Sequence, residues 1–179
     1  MPAFVALLRG VNVGGAKRVP MATLRQLLED LGHHDVVTLL NSGNAVFHAT
    51  RATPAKLAAD ISAALLRHLE LDVTVIVKSA REFTTIIDEC TIHAPEAEHS
   101  QLLVAFVQQP KLLATLESIK PLVTAPERFL IGSQAAYLHC ASGILESRAG
   151  AALLGKAGRA ATTRNWATTL KLRTLAGNK

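Results

Sequence analysis

The sequence predicts an α+β fold in which one run of strands and helices occurs twice. Three observations carry this expectation. Short apolar runs bounded by turn residues read as buried strands. Between them lie stretches whose leucines and isoleucines recur every three or four residues, the spacing of a helix face. The order in which these segments alternate in the first half of the chain returns in the second.

Ala3–Leu8 is short and apolar throughout, and predicts a buried strand. Arg9–Val19 follows as a loop containing Gly10, Gly14 and Gly15. Pro20 suits the first position of a helix. Met21, Leu24, Leu27, Leu28 and Leu31 then recur at helical spacing, and Gly32 ends the run. Val36–Leu40 is a strand, Asn41-Ser42-Gly43-Asn44 a turn, and Ala45–His48 the returning strand. Thr53 and Pro54 open a second helix, with Leu57, Ile61, Leu65 and Leu69 four apart. Asp72–Val77 is a strand with Val73, Val75 and Val77 on one face. Strand, helix, strand, strand, helix, strand is the order of the ferredoxin-like unit. A helix over Ala80–Cys90 follows. The polar loop His93–Ser100 then divides a first half, residues 1–92, from a second, residues 93–179.

The second half opens with a strand at Leu102–Val107 and a helix at Pro110–Ile119. Glu127–Ile131 and Ala136–Cys140 form a hairpin around Gly132-Ser133-Gln134. Val5-Ala6 matches Val104-Ala105. Leu39–Ala49 matches Leu130–Cys140, with Ser42 over Ser133 and His48 over His139. The expectation is therefore an internal duplication, two ferredoxin-like halves in one unit. Basic helices near Glu146–Leu154 and Arg164–Leu175 close the chain.

Composition bounds the rest. With 49% hydrophobic residues among 179, the chain can bury a core without disulfides or metal. Charged residues at 18% argue against disorder. No apolar run approaches the roughly 18 residues of a membrane helix. Arg9 ends the first apolar run too early for a secretion signal, so a cytoplasmic protein is expected. Cys90 and Cys140 fit a reducing compartment. The net charge is +5, and it is concentrated. From Leu145 onward seven bases face one acid, Glu146, while the remaining chain is close to neutral. Such a segment either attracts an anionic partner, small molecule or nucleic acid, or serves as a solvated face. A monomer is slightly favoured.

The halves differ between first strand and first helix. The second half needs only Gln108 and Gln109, whereas the first uses Arg9-Gly10-Val11-Asn12-Val13-Gly14-Gly15-Ala16-Lys17-Arg18-Val19. Long Gly-rich loops on a rigid scaffold often carry function. A loop from strand to helix is also the context that cradles phosphate. It is not a Walker loop, because Ala16 stands where that motif has Lys and Lys17 where it has Ser or Thr. A generic anion-binding loop and a structural loop using glycines for positive φ both remain open. No acid occurs between Arg9 and Arg25.

Other chemistry is thinly represented. Cys90 and His93 are three apart without a second ligand pair, so no metal and no cofactor is expected. Ser42 lacks the elbow of a catalytic serine. No acid–base pair stands out as catalytic. An RNA-recognition module needs stacking aromatics, and only 4% of residues are aromatic. In the terminal segment Thr162 or Thr163 is expected to cap a helix. Arg164, Thr168 and Lys171 would share one face of it, with Trp166 and Leu170 anchoring the other.

Leu7-Leu8-Arg9-Gly10-Val11-Asn12-Val13-Gly14-Gly15, Val19-Pro20-Met21, Ser42-Gly43-Asn44 and Thr163-Arg164-Asn165-Trp166 with Thr168 and Lys171-Leu172 together resemble the domain-of-unknown-function 1697 family. The resemblance implies a bacterial, cytosolic protein with a duplicated ferredoxin-like α+β fold, and it carries no activity. An aromatic-Ile-Gln run usual before Ser-Gly-Asn is Leu39-Leu40-Asn41 here, and a usual Ser-Lys-Leu is Ser147-Arg148-Ala149.

The functional expectation is an anion-binding protein, for a phosphorylated small molecule or nucleic acid. An enzyme acting on a phosphorylated or carboxylated substrate is one alternative, and a protein-interaction module another. The candidate ligand set is Arg9, Gly10, Asn12, Gly14, Gly15, Lys17, Arg18, Asn41, Ser42 and Asn44, facing Arg164, Asn165 and Lys171 across one cleft.

Overall fold

A computed structural model of the chain describes residues 1–177. Lys179, counted among the terminal bases, lies outside the described residues. The protein is α+β with two four-stranded antiparallel sheets. It divides into two compact units, Met1–Phe83 with the chain from Leu172 onward, and Thr84–Lys171.

In the first unit the order is β1 (Ala3–Leu8), α1 (Met21–Asp30), β2 (His34–Leu39), β3 (Asn44–His48), α2 (Pro54–Leu69) and β4 (Val75–Ser79). The sheet order is β2-β3-β1-β4, with all neighbours antiparallel. Phe4, Ala6 and Leu8 of β1 share a face with Ala45, Phe47, Val75 and Val77. They pack with Leu24 and Leu28 of α1 and Ile61 and Leu65 of α2 into one core. Val5, Leu7, Val46 and Ile76 on the opposite face are buried as well. That is why these strands read as continuous apolar runs rather than alternating ones. Thr53 caps α2, its hydroxyl accepting from the Lys56 N–H at 3.2 Å. β2 lies at the sheet edge and shifts register between His34 and Val37, where Asp35 adopts φ 51°.

The second unit begins within α3 (Ala80–Asp88) and continues through β5 (Leu102–Val107), β6 (Arg128–Ile131), β7 (Ala135–His139), α4 (Arg148–Leu154) and β8 (Ala161–Asn165) into α5 (Trp166–Gly177). Its sheet order is β6-β7-β5-β8. Leu103, Ala105, Val107, Ala136 and Leu138 pack with Leu113, Leu116 and Ile119, and with Ala149 and Leu153 of α4. Ser147 caps α4 by accepting from the Gly150 N–H at 2.8 Å.

Two elements differ from expectation. Pro110–Leu122 is a run of 3₁₀ turns rather than an α-helix; Leu112 N–H, for example, donates to Gln109 O at 2.9 Å. Pro121 within it has no N–H to extend an α ladder. The helix expected over Arg164–Leu175 begins only at Trp166, because Ala161–Asn165 is a strand. Its β-branched Thr162 and Thr163 fit a pleated surface, and it pairs with β5, placing Thr163 opposite Ala105 and Arg164 opposite Val104. Neither threonine caps α5. Asn165 does, its Oδ1 accepting from the Thr168 N–H at 2.9 Å. Among the described residues no helix is long and apolar enough to cross a membrane.

Candidate functional site

The loop leaving β1 has a definite architecture. Val13 and Ala16 form a miniature bridge, with Gly14 (φ 62°) and Gly15 (φ 78°) as its turn. A two-residue hairpin turn of this hand needs positive φ at both positions, which glycine supplies without steric cost. Asn12 closes the loop on itself. Its side-chain amide donates to Val19 O at 2.8 Å and to Asn41 O at 2.6 Å, while its Oδ1 accepts from the Val19 N–H at 2.8 Å. One side chain thus joins both ends of the loop and ties them to the β2–β3 hairpin. Leu8 N–H donates to Gly43 O at 2.8 Å, fixing the same hairpin to the end of β1.

This bonding leaves a cavity of about 530 Å³ lined by Asn12, Gly15, Ala16, Arg18, Val19, Pro20 and Asn41. Its lining contains one cation, Arg18, and no carboxylate. Among the described residues no acid lies within ion-pair distance of Arg18. Val19 and Pro20 lead directly into α1. Pro20 offers α1 no side-chain cap, and no acid occupies its first turn. The first intrahelical bond is that of Leu24 N–H to Pro20 O, at 3.0 Å. The amides of Met21, Ala22 and Thr23 therefore form the unpaired positive end of the helix dipole.

Of the expected ligand residues, the cavity brings together Asn12, Gly15, Arg18 and Asn41. Arg9, Gly10 and Gly14 are in the same loop but are not part of its lining. Lys17 reaches elsewhere, donating to Asp72 O at 2.7 Å. Asn44 is fully buried and donates to Leu39 O and to Ser42 Oγ, both at 2.8 Å, so Ser42 and Asn44 build the turn. Ala16, Val19 and Pro20 also line the cavity, and in sequence they carry no chemistry that would mark them.

Arg164, Asn165 and Lys171 lie in the second unit. Arg164 does not share a helix face with Thr168 and Lys171, because it lies in β8 whereas they lie in α5. Arg164 is only 8% exposed, and its guanidinium donates to Thr162 Oγ1 and Thr163 O, both at 2.8 Å. Burial disfavours its charged form and lowers its pKa to about 10. Lys171 is exposed and Trp166 half-buried.

Two polar groupings were not anticipated. Lys78 of β4 is fully buried; desolvation lowers its pKa, and nearby Glu82 opposes that shift. In the second unit His139 Nε2 lies 2.8 Å from Glu98 Oε2, and Arg128, opposite His139 in the β6–β7 ladder, approaches its Nδ1 at 3.4 Å. Arg128 also donates to His93 O at 2.7 Å. Glu98 is remote in sequence from its partner, and no local pattern announces such a pairing.

No curated protein matches the chain. A solved structure, that of a conserved bacterial protein from Streptococcus pneumoniae, is similar over 98% of both chains with a TM-score of 0.79 at 22% identity, a likeness of fold. The family model described as protein of unknown function (DUF1697) matches residues 1–137, a span that includes the whole cavity and stops short of Arg164. The chain belongs to that family.

Proposed function

We propose that this protein binds an anionic small molecule bearing a phosphate, in the cavity between the Gly-rich loop and the β2–β3 hairpin. The observation that carries the proposal is a cavity whose lining holds Arg18 and no acid. An arginine with no acid beside it attracts an anion, and arginine is a common way to hold phosphate. Asn12 supports this by holding the loop in shape before any ligand arrives, which lowers the ordering cost of binding.

The proposal extends to the architecture. Both sheets place their first strand between their third and fourth, in the orders β2-β3-β1-β4 and β6-β7-β5-β8. We read this as a duplicated ferredoxin-like unit, residues 1–92 and 93–179, in which only the first copy acquired the loop. The protein acts as a cytoplasmic monomer in this reading.

Thermal unfolding with inorganic phosphate tests the site. A ligand that binds only the native state raises the melting temperature by mass action. Phosphate at tens of millimolar should raise it above a chloride control of equal ionic strength, and Arg18→Gln should abolish the difference. An equal response in the variant would remove Arg18 from the site. Binding of RNA or DNA that weakens steeply with salt would favour nucleic acid over a small molecule.

A further inference from the structure

We infer that His139 is a proton-operated latch: neutral, with its hydrogen on Nε2, it holds Arg128 over the connection between α3 and β5, and protonation at Nδ1 releases Arg128. The latch is independent of the anion site, since every group in it belongs to the second unit.

Donor chemistry fixes the resting state of the ring. A guanidinium only donates hydrogen bonds, and a carboxylate only accepts them. Arg128 Nη2 approaches His139 Nδ1 at 3.4 Å, so Nδ1 is the nitrogen with the free lone pair. Nε2, 2.8 Å from Glu98 Oε2, then carries the hydrogen and donates it. His139 is only 4% exposed, so water does not stand in for either partner.

Position gives the latch its reach. His139 ends β7, opposite Arg128 at the start of β6 and Leu102 at the start of β5. Arg128 Nη2 has two N–H bonds, and the second goes to His93 O at 2.7 Å. Glu98 closes the 3₁₀ turn Glu96–Glu98 of the same connection. The connection is thus fastened to the β6–β7 hairpin at two points, one through Arg128 and one through Glu98.

Acid acts differently on the two. Histidine is the side chain that ordinarily takes up a proton in mild acid. A proton on Nδ1 removes the acceptor and sets two cations a hydrogen-bond length apart, where they repel. The bond to Glu98 survives as a charge-assisted one. Arg128 is the partner that leaves, because it is exposed and can turn into water, taking the His93 contact with it. The other neighbours do not oppose this. β5 consists of apolar residues, and His99 turns its Nε2 to Ala94 O at 3.2 Å. Cys90, which feels the charge of Arg128, is a thiol that burial keeps neutral.

Nitrogen NMR of the histidine rings and amide hydrogen exchange, both on the full chain, test the latch. At pH 8 the ring of His139, assigned through its backbone resonances, should carry a hydrogen on Nε2 and none on Nδ1. From pH 7.5 to pH 5.5 the amides of Glu98, His99 and Gln101, which donate to Pro95 O, Glu96 O and Glu98 O, should exchange about threefold faster or more, after correction for the intrinsic rate. Arg128→Gln should abolish that rise, because a carboxamide can turn its oxygen toward a protonated Nδ1. A hydrogen on Nδ1 at pH 8 overturns the inference. So does exchange that ignores acid, or an equal rise in Arg128→Gln.

Discussion

The two sheets share a strand order and differ in what leaves their first strand. After β5 the chain reaches the next element through Gln108 and Gln109, while after β1 it runs from Arg9 to Pro20 before α1 begins. Folding alone is satisfied by the shorter connection. The longer one is stabilised by its own bonding: a glycine turn at its tip, three hydrogen bonds from Asn12 at its neck, and the β2–β3 hairpin drawn against it. The difference teaches that a long connection can leave a strand without disturbing its sheet, if the segment supplies the hydrogen bonds its own backbone needs.

The sharpest way to break this comparison is at the hairpin turns. A Cβ on Gly43 would lie 2.7 Å from Leu8 Cβ and 2.8 Å from Val11 Cγ2, at φ +87°. Both neighbours are buried and cannot retreat. Gly43→Ala should therefore cost about 3 kcal/mol in urea unfolding, combining overpacking with a left-handed backbone. In the second hairpin a Cβ on Gly132 meets chiefly Glu89 Oε2 at 2.9 Å, the end of a flexible side chain. Gly132→Ala should cost about 1 kcal/mol. Equal costs would mean that the first hairpin is no more tightly held than the second.

Asn12 comes next. Asn12→Ala leaves the buried Val19 N–H without its acceptor and should cost about 2 kcal/mol. Asn12→Gly loses the same bonds but suits φ 58°, and should recover up to about 1 kcal/mol of that loss. A glycine variant less stable than the alanine variant would show that backbone strain at this position is unimportant.

The smallest effect is in acid. His33 stacks on Phe47 with ring centroids 4.6 Å apart, and burial lowers its pKa below 6.5, Asp60 opposing the shift. The folded state then binds this proton less readily than the unfolded chain. Its contribution to stability is full above about pH 6.5 and is lost as pH falls toward the folded-state value. His33→Gln should flatten that part of the stability profile, measured by urea midpoints between pH 7 and pH 5. An unchanged slope would assign the acid sensitivity to other groups.

Much of the first unit was legible because its elements announce themselves locally. Leu24, Leu27 and Leu28 spell a helix, and Gly43 within Asn41–Asn44 spells a turn. Of the cavity lining, Arg18, Asn12, Gly15 and Asn41 are legible from a basic, glycine-rich loop beside a hairpin. What the sequence hid was long-range. β8 exists because β5 offers it a ladder, and Thr163-Arg164-Asn165-Trp166 gives no local sign that Asn165, not a threonine, caps the helix. Arg164 looked like a ligand because a charge near a helix start usually faces water, whereas strand pairing buries it. Lys17 looked equally available, and only the fold brings Asp72 O to it.

The register shift in β2 bears on the outer edge of its sheet. An edge strand with a regular ladder is a template for joining a second sheet. Here the outer strand is broken between His34 and Val37, and Asp35, turned into the left-handed region, sets a carboxylate along that margin. At one edge of the second unit's sheet, β6 is a strand of only four residues that opens with an exposed arginine, Arg128. These two margins thus disfavour edge-to-edge pairing of sheets, a safeguard that matters beside strands such as β1 and β5, which are continuous apolar runs. Removing Asp35 to regularise β2 would strip that protection and should appear as concentration-dependent turbidity.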